Sequence, residues 1–134
     1  MAQQANQPLP NGHPLEEYTI DRQLSLGGFS IVYLATDPEG RQVAIKEYLP
    51  NSLALRGEGK IKPTITEEHM PAFRYGMKCF FEEGRALAKL SHPSVIRVLN
   101  FFRANGTVYM VMEYEQGRTL QEFIQKNRMV ITEN

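Results

Sequence analysis

One cysteine, no net charge and no long apolar run: each scarcity closes off a class of function. Cys79 alone cannot form an intramolecular disulfide, which fits a reducing compartment. Lys plus Arg and Asp plus Glu both number 15, so no general attraction to nucleic acid or an anionic membrane is expected. No apolar stretch approaches the roughly 18–20 residues needed to span a bilayer, and the polar start is no signal peptide. A soluble cytoplasmic segment is expected, with a membrane anchor elsewhere in a longer parent chain left open. Neither GxxxxGK[ST] nor GxGxxG occurs, which excludes a Walker phosphate loop and a dinucleotide fingerprint. His13, His69 and His92 form no metal constellation.

What remains is ordinary globular material: 134 residues, 42% hydrophobic and 22% charged, enough for one modest domain. The informative stretch is 24–46, LSLGGFSIVYLATDPEGRQVAIK. Gly27-Gly28 followed by Phe29 and Ser30 lets backbone N–H groups approach an anion, because glycine carries no Cβ. A strand at 30–36 and a turn at Asp37-Pro38-Glu39-Gly40 lead to Val43-Ala44-Ile45-Lys46. Period-two alternation puts Ala44 and Lys46 on one face, a flat apolar shelf edged by a cation. Such a shelf suits a nucleotide, with the base on the shelf and phosphates at the ammonium.

Around that stretch, residues 1–14 hold little to bury and are expected to be a mobile tail. A first strand is expected over 15–26. Residues 47–69 carry Pro50, Gly57, Gly59 and Pro63 and read as an insertion, mostly loop with one helical turn at 52–56. Its basic Arg56, Lys60 and Lys62 fit either a partner-binding surface or a plain surface excursion. From Pro71 the period changes: Phe73, Met77, Phe80, Gly84 and Leu87 mark one face of an amphipathic helix that stops by Leu90. Glu67 and Glu68 fall near its positive end, Cys79 reads as a small packing residue, and Glu83 borders the stripe. Strands at 95–102 and 107–113 are joined through Asn105-Gly106, a pair that tolerates positive φ. Beyond Gly117, the capping-box spacing of Thr119 and Glu122 opens a short helix.

The order of these parts resembles the N-terminal lobe of eukaryotic-type Ser/Thr protein kinases, in a bacterial member. The resemblance rests on the glycine loop, the V-A-I-K lysine, Glu83-Gly84-Arg85-Ala86-Leu87 and the His92-Pro93 turn. It departs from the family pattern at the loop's first and third glycines, which are Ser25 and Ser30 here. It implies an α+β fold, a five-stranded antiparallel sheet packed on one main helix, followed by the start of a hinge and a further helix. Residues 15–116 would be the nucleotide lobe, with 117–134 leaving the hinge into a truncated C-terminal lobe.

By the same resemblance, Leu24 and Val32 flank an adenine that Ala44 caps. Ser25, Gly27, Gly28, Phe29 and Ser30 form the loop over the phosphates of ATP, which Lys46 holds and Glu83 supports as its ion-pair partner. Met112 is the gatekeeper, and Glu113, Tyr114 and Glu115 offer hinge backbone to the adenine edge. Leu87 and Val98 fall on the regulatory spine, where ordinary core packing describes them equally well. No His-Arg-Asp, Asp-Phe-Gly or Ala-Pro-Glu occurs, so the catalytic aspartate and the Mg2+ ligands would belong to the absent C-terminal lobe. The chain by itself is therefore expected not to catalyse transfer to a protein substrate efficiently. An apolar face near Met112, Phe123 and Ile124 would favour self-association. Two other readings stay open: a non-catalytic pseudokinase-like interaction module, and the lobe of a small-molecule phosphotransferase.

Overall fold

A computed structural model describes residues 6–89 and 97–114. Its strands are β1 (Pro14–Leu15), β2 (Tyr18–Leu26), β3 (Ser30–Thr36), β4 (Gln42–Tyr48), β5 (Val98–Ala104) and β6 (Thr107–Glu113), with helix α1 (Met70–Ala88) between β4 and β5. They form one antiparallel sheet in the order β1-β2-β3-β4-β6-β5. The expected count of five strands becomes six among the described residues, because Pro14 and Leu15 pair with Thr19 and Tyr18. The turns follow local chemistry. The Asp37 carboxylate accepts from the amides of Glu39 and Arg41, and Asn105 and Gly106 both take positive φ.

Register divides the sheet into two faces. Val32 pairs with Lys46 and Lys46 with Met110, while Ala44 pairs with Met112, so all share the face toward α1. The stripe on α1 meets that face: Phe73, Phe80, Gly84 and Leu87 are buried and Met77 is half-buried. Two helix glycines permit the approach. A Cβ on Gly76 would sit 1.9 Å from the Tyr48 hydroxyl, and one on Gly84 would sit 1.7 Å from the Phe101 ring. Gly84→Ala is thus expected to destabilise by about 1–3 kcal/mol through overpacking, although alanine is the better helix former by about 1 kcal/mol. Thermal unfolding of the variant checks this.

The other face carries Tyr33, Ile45, Glu47, Tyr109 and Val111, and here the expectations from sequence need correction. Residues 6–14 are no mobile tail: Asn6 and Leu9 are buried, and the Leu9 amide donates to the Tyr33 hydroxyl at 3.0 Å. Arg56 is no surface cation. Its guanidinium forms a bidentate pair with Glu47, Nη2 to Oε1 at 2.6 Å and Nη1 to Oε2 at 2.8 Å, with both side chains fully buried. The hydroxyls of Tyr33 and Tyr109 donate to the same carboxylate. No helix forms at 52–56; a turn closes Pro50 to Leu53 and Ala54, and Leu55 bridges Thr64. Cys79 is exposed rather than packed, and Glu67 and Glu68 precede the His69 cap, leaving the first turn of α1 without an acid. Met112 is buried and offers nothing to an exposed apolar face. Phe123, Ile124, the His92-Pro93 turn and the helix expected after Gly117 lie outside the described residues. No helix among the described residues is long and apolar enough to cross a membrane.

Candidate functional site

Strand β4 delivers Lys46 to the α1 side, where its Nζ sits 5.9 Å from the centroid of the Phe80 ring. A cavity of about 610 Å³ opens there between the glycine loop and α1. Ser25, Gly27, Gly28, Phe29, Ser30 and Val32 line it from the sheet side, beside Lys46. Gly76, Cys79, Phe80 and Glu83 line it from the helix, at spacings that a single helical face provides. Tyr48, Pro50, Ser52 and Leu53 add to the wall.

The loop is open where an anion would need it open. Gly27 donates to the Ser30 carbonyl at 2.9 Å, closing the turn, and the amides of Gly28 and Phe29 have no partner among the described residues. Neither glycine of the pair takes a left-handed φ, and a Cβ on Gly28 would meet nothing within 4 Å. Free space over the backbone, rather than an unusual dihedral, is what glycine supplies at 28. Phe29 is 75% exposed at the tip.

Burial pushes the Lys46 ammonium below its ordinary pKa, and the charge of Glu83 opposes that shift. The two residues line one cavity, yet no ion pair within 4 Å joins them among the described residues. The expected pair is therefore approached but not closed in this structure.

Eight of the residues singled out by sequence come together around the cavity: Ser25, Gly27, Gly28, Phe29, Ser30, Val32, Lys46 and Glu83. Leu24, Ala44 and Met112 do not line it. All three are buried, and Ala44 and Met112 are paired on the shelf beside Lys46. Glu113 and Tyr114 instead edge a separate cavity of about 600 Å³ with Arg97 and Val43, and Glu115 lies outside the described residues. Tyr48, which follows Lys46 by two on the same strand face, was legible by period two and yet unclaimed.

The family model for the protein kinase domain matches residues 18–134. This chain belongs to the protein kinase family. Relatives include Serine/threonine-protein kinase PknD of Chlamydia pneumoniae, 32% identical over 111 residues, covering 82% of this chain and 10% of that protein. The probable serine/threonine-protein kinase YbdM of Bacillus subtilis (strain 168) is 27% identical over 129 residues, covering 96% and 44%. A solved structure of the PpkA-294 apo form superposes with a TM-score of 0.78 at 38% identity, over 88% of this chain and 42% of that one. The chain thus spans less than half the length of these relatives, and its curled sheet with α1 packed on it corresponds to a kinase N-terminal lobe.

Members of the protein kinase family use ATP and Mg2+. Unpartnered loop amides and the Lys46 ammonium facing one cavity fit a polyphosphate. No group of three His, Cys, Asp or Glu that could hold a metal ion occurs among the described residues.

Proposed function

We propose that this chain is the ATP-binding lobe of a serine/threonine protein kinase that transfers phosphate to protein hydroxyls in the cytoplasm. The observation that carries it is one cavity faced by Lys46, Glu83 and the free amides of Gly28 and Phe29. The phosphates take hydrogen bonds from those amides and the charge of Lys46, while the adenine lies along Val32, Ala44 and Leu24 below Met112. Backbone groups at Glu113, Tyr114 and Glu115 meet its edge. Glu83, on α1, orients Lys46 when the helix moves in. Transfer is positioning and charge neutralisation, so the general base and the Mg2+ ligands come from residues other than those described.

Titration with a non-hydrolysable ATP analogue, with and without Mg2+, tests this by calorimetry. Saturable binding supports it, and no binding at millimolar analogue overturns it. The open Lys46–Glu83 pair favours a second reading, a pseudokinase-like module that binds partners without nucleotide, and that second result would select it.

A further inference from the structure

The glycine loop is held from behind by a segment outside the nucleotide contacts described above. Past Tyr48 the chain keeps running beside the loop: the Leu49 amide donates to the Phe29 carbonyl at 2.8 Å, and the Asn51 amide to the Gly28 carbonyl at 2.9 Å. Both carbonyls of the loop tip are therefore turned toward 49–51, and its amides have no partner among the described residues. Leu49 is itself fixed, 1% exposed, and its carbonyl accepts from Asn6 Nδ2 at 3.5 Å. That nitrogen also reaches the Ala54 carbonyl at 3.1 Å, and Asn6 Oδ1 accepts from the Arg56 amide at 2.7 Å. Next along the chain, Gln7 exchanges two bonds with Arg56: its amide donates to the Arg56 carbonyl at 3.0 Å, and its carbonyl accepts from Arg56 Nε at 2.8 Å. Arg56 is anchored in turn on Glu47, the residue after Lys46.

We propose that Asn6 and Arg56 are positioning residues for nucleotide binding: the arm at 6–9 and the segment at 49–56 form a strut that sets the height of the glycine loop over Lys46. The proposal rests on the nucleotide reading above. A glycine-bearing loop loses conformational freedom when its amides close on a phosphate. Two carbonyls fixed in advance remove part of that loss, which is preorganisation from outside the site. The shelf needs no such help, since Val32 and Ala44 are held by the β3–β4 ladder. Releasing the arm thus weakens phosphate contacts and leaves base contacts alone.

The test compares the 134-residue chain with Asn6→Ala by calorimetry against the ATP analogue and against adenosine, together with amide hydrogen exchange. Expected for Asn6→Ala is analogue binding about five- to tenfold weaker, the scale of one hydrogen bond's positioning, with adenosine affinity unchanged. Exchange should quicken at Leu49 and Asn51 and stay slow in β3 and β4. Equal weakening of both ligands, or faster exchange across the whole sheet, would reduce Asn6 to a structural role and overturn the proposal. So would an unchanged analogue affinity. A wild-type chain that binds neither ligand overturns the nucleotide reading and the proposal together, which sets that failure apart from one confined to the variant. Should Asn6→Ala fail to fold, Gln7→Pro, which removes the amide bond to the Arg56 carbonyl and restricts the backbone at Asn6, serves the same comparison.

Discussion

Arg56→Met is expected to cost about 3–5 kcal/mol of unfolding free energy, the range for breaking a buried ion pair from one side. The side chain removed is large, but lost packing is not the main reason, since methionine fills much of the space. What remains is the Glu47 carboxylate, fully buried and stripped of the one cation within 4 Å among the described residues, with two tyrosine hydroxyls as its side-chain donors. Changing both partners should cost far less than changing Arg56 alone: Glu47→Leu with Arg56→Met buries no charge, and isosteric apolar replacement of such pairs is often near neutral. Urea unfolding of the two singles and the double closes the cycle. If the double is as unstable as Arg56→Met, the side-chain hydrogen bonds from Arg56 to Gln7 and Ile61, with the Tyr33 and Tyr109 hydroxyls left without their acceptor, dominate over the charge. The same cluster sets an alkaline limit. Burial first, then the charge of Glu47, pushes the hydroxyls of Tyr33 and Tyr109 well above the ordinary value of 10.0. The unfolded chain releases those protons near pH 10 and the folded lobe does not, so stability falls as pH rises past that point.

This cluster is also where the sequence was least legible, and the reason is physical. The 24–46 hairpin, the Asn105-Gly106 turn and the apolar stripe of α1 are written in periods of two and 3.6 and in residues suited to positive φ. Those signals are local. Arg56 and Gln7 are 49 positions apart, and a polar residue declares its burial only through such distant partners. A tail poor in apolar residues therefore looked unable to pack, although Asn6 and Leu9 suffice once Arg56 and Tyr33 are there to receive them. One clue was local. Val43-Ala44-Ile45 is apolar on both faces, the mark of a strand covered on both sides, so Glu47 on such a strand requires a partner. Cys79 was equally decidable, since the stripe through Phe73, Met77, Phe80, Gly84 and Leu87 leaves it to one side. The unclosed Lys46–Glu83 pair is different in kind, because a helix position relative to a sheet is a matter of rigid-body placement that residue spacing does not specify.

Lys46→Met is expected to weaken binding of the ATP analogue by at least about tenfold and, in the same molecule, to make the empty lobe more stable. The loss follows from removing the one side-chain cation that lines the cavity among the described residues. The gain follows from electrostatics in the empty state. Burial disfavours the Lys46 ammonium more than Glu83 favours it, and among the described residues no carboxylate stands within 4 Å to complete the compensation. Methionine keeps the length of the stem and a favourable sulfur contact with the Phe80 ring, so little packing is lost in exchange. The pH dependence separates this account from a packing effect. With its folded-state pKa below the ordinary 10.5, Lys46 sheds its proton earlier in the folded lobe than in the unfolded chain. Wild-type stability then gains, relative to the variant, as pH rises from that depressed value toward 10.5. Tyrosine titration is common to both proteins and cancels in the difference. Denaturation of the pair across pH 7 to 10 should therefore show a gap that narrows with pH, whereas a constant gap would assign the gain to packing. Phosphates reverse the balance: they bring the counter-charge that the empty site lacks, which raises the Lys46 pKa. Nucleotide binding above the depressed pKa should accordingly take up a proton, visible as a dependence of the binding enthalpy on the buffer's ionisation enthalpy, and Lys46→Met should abolish it.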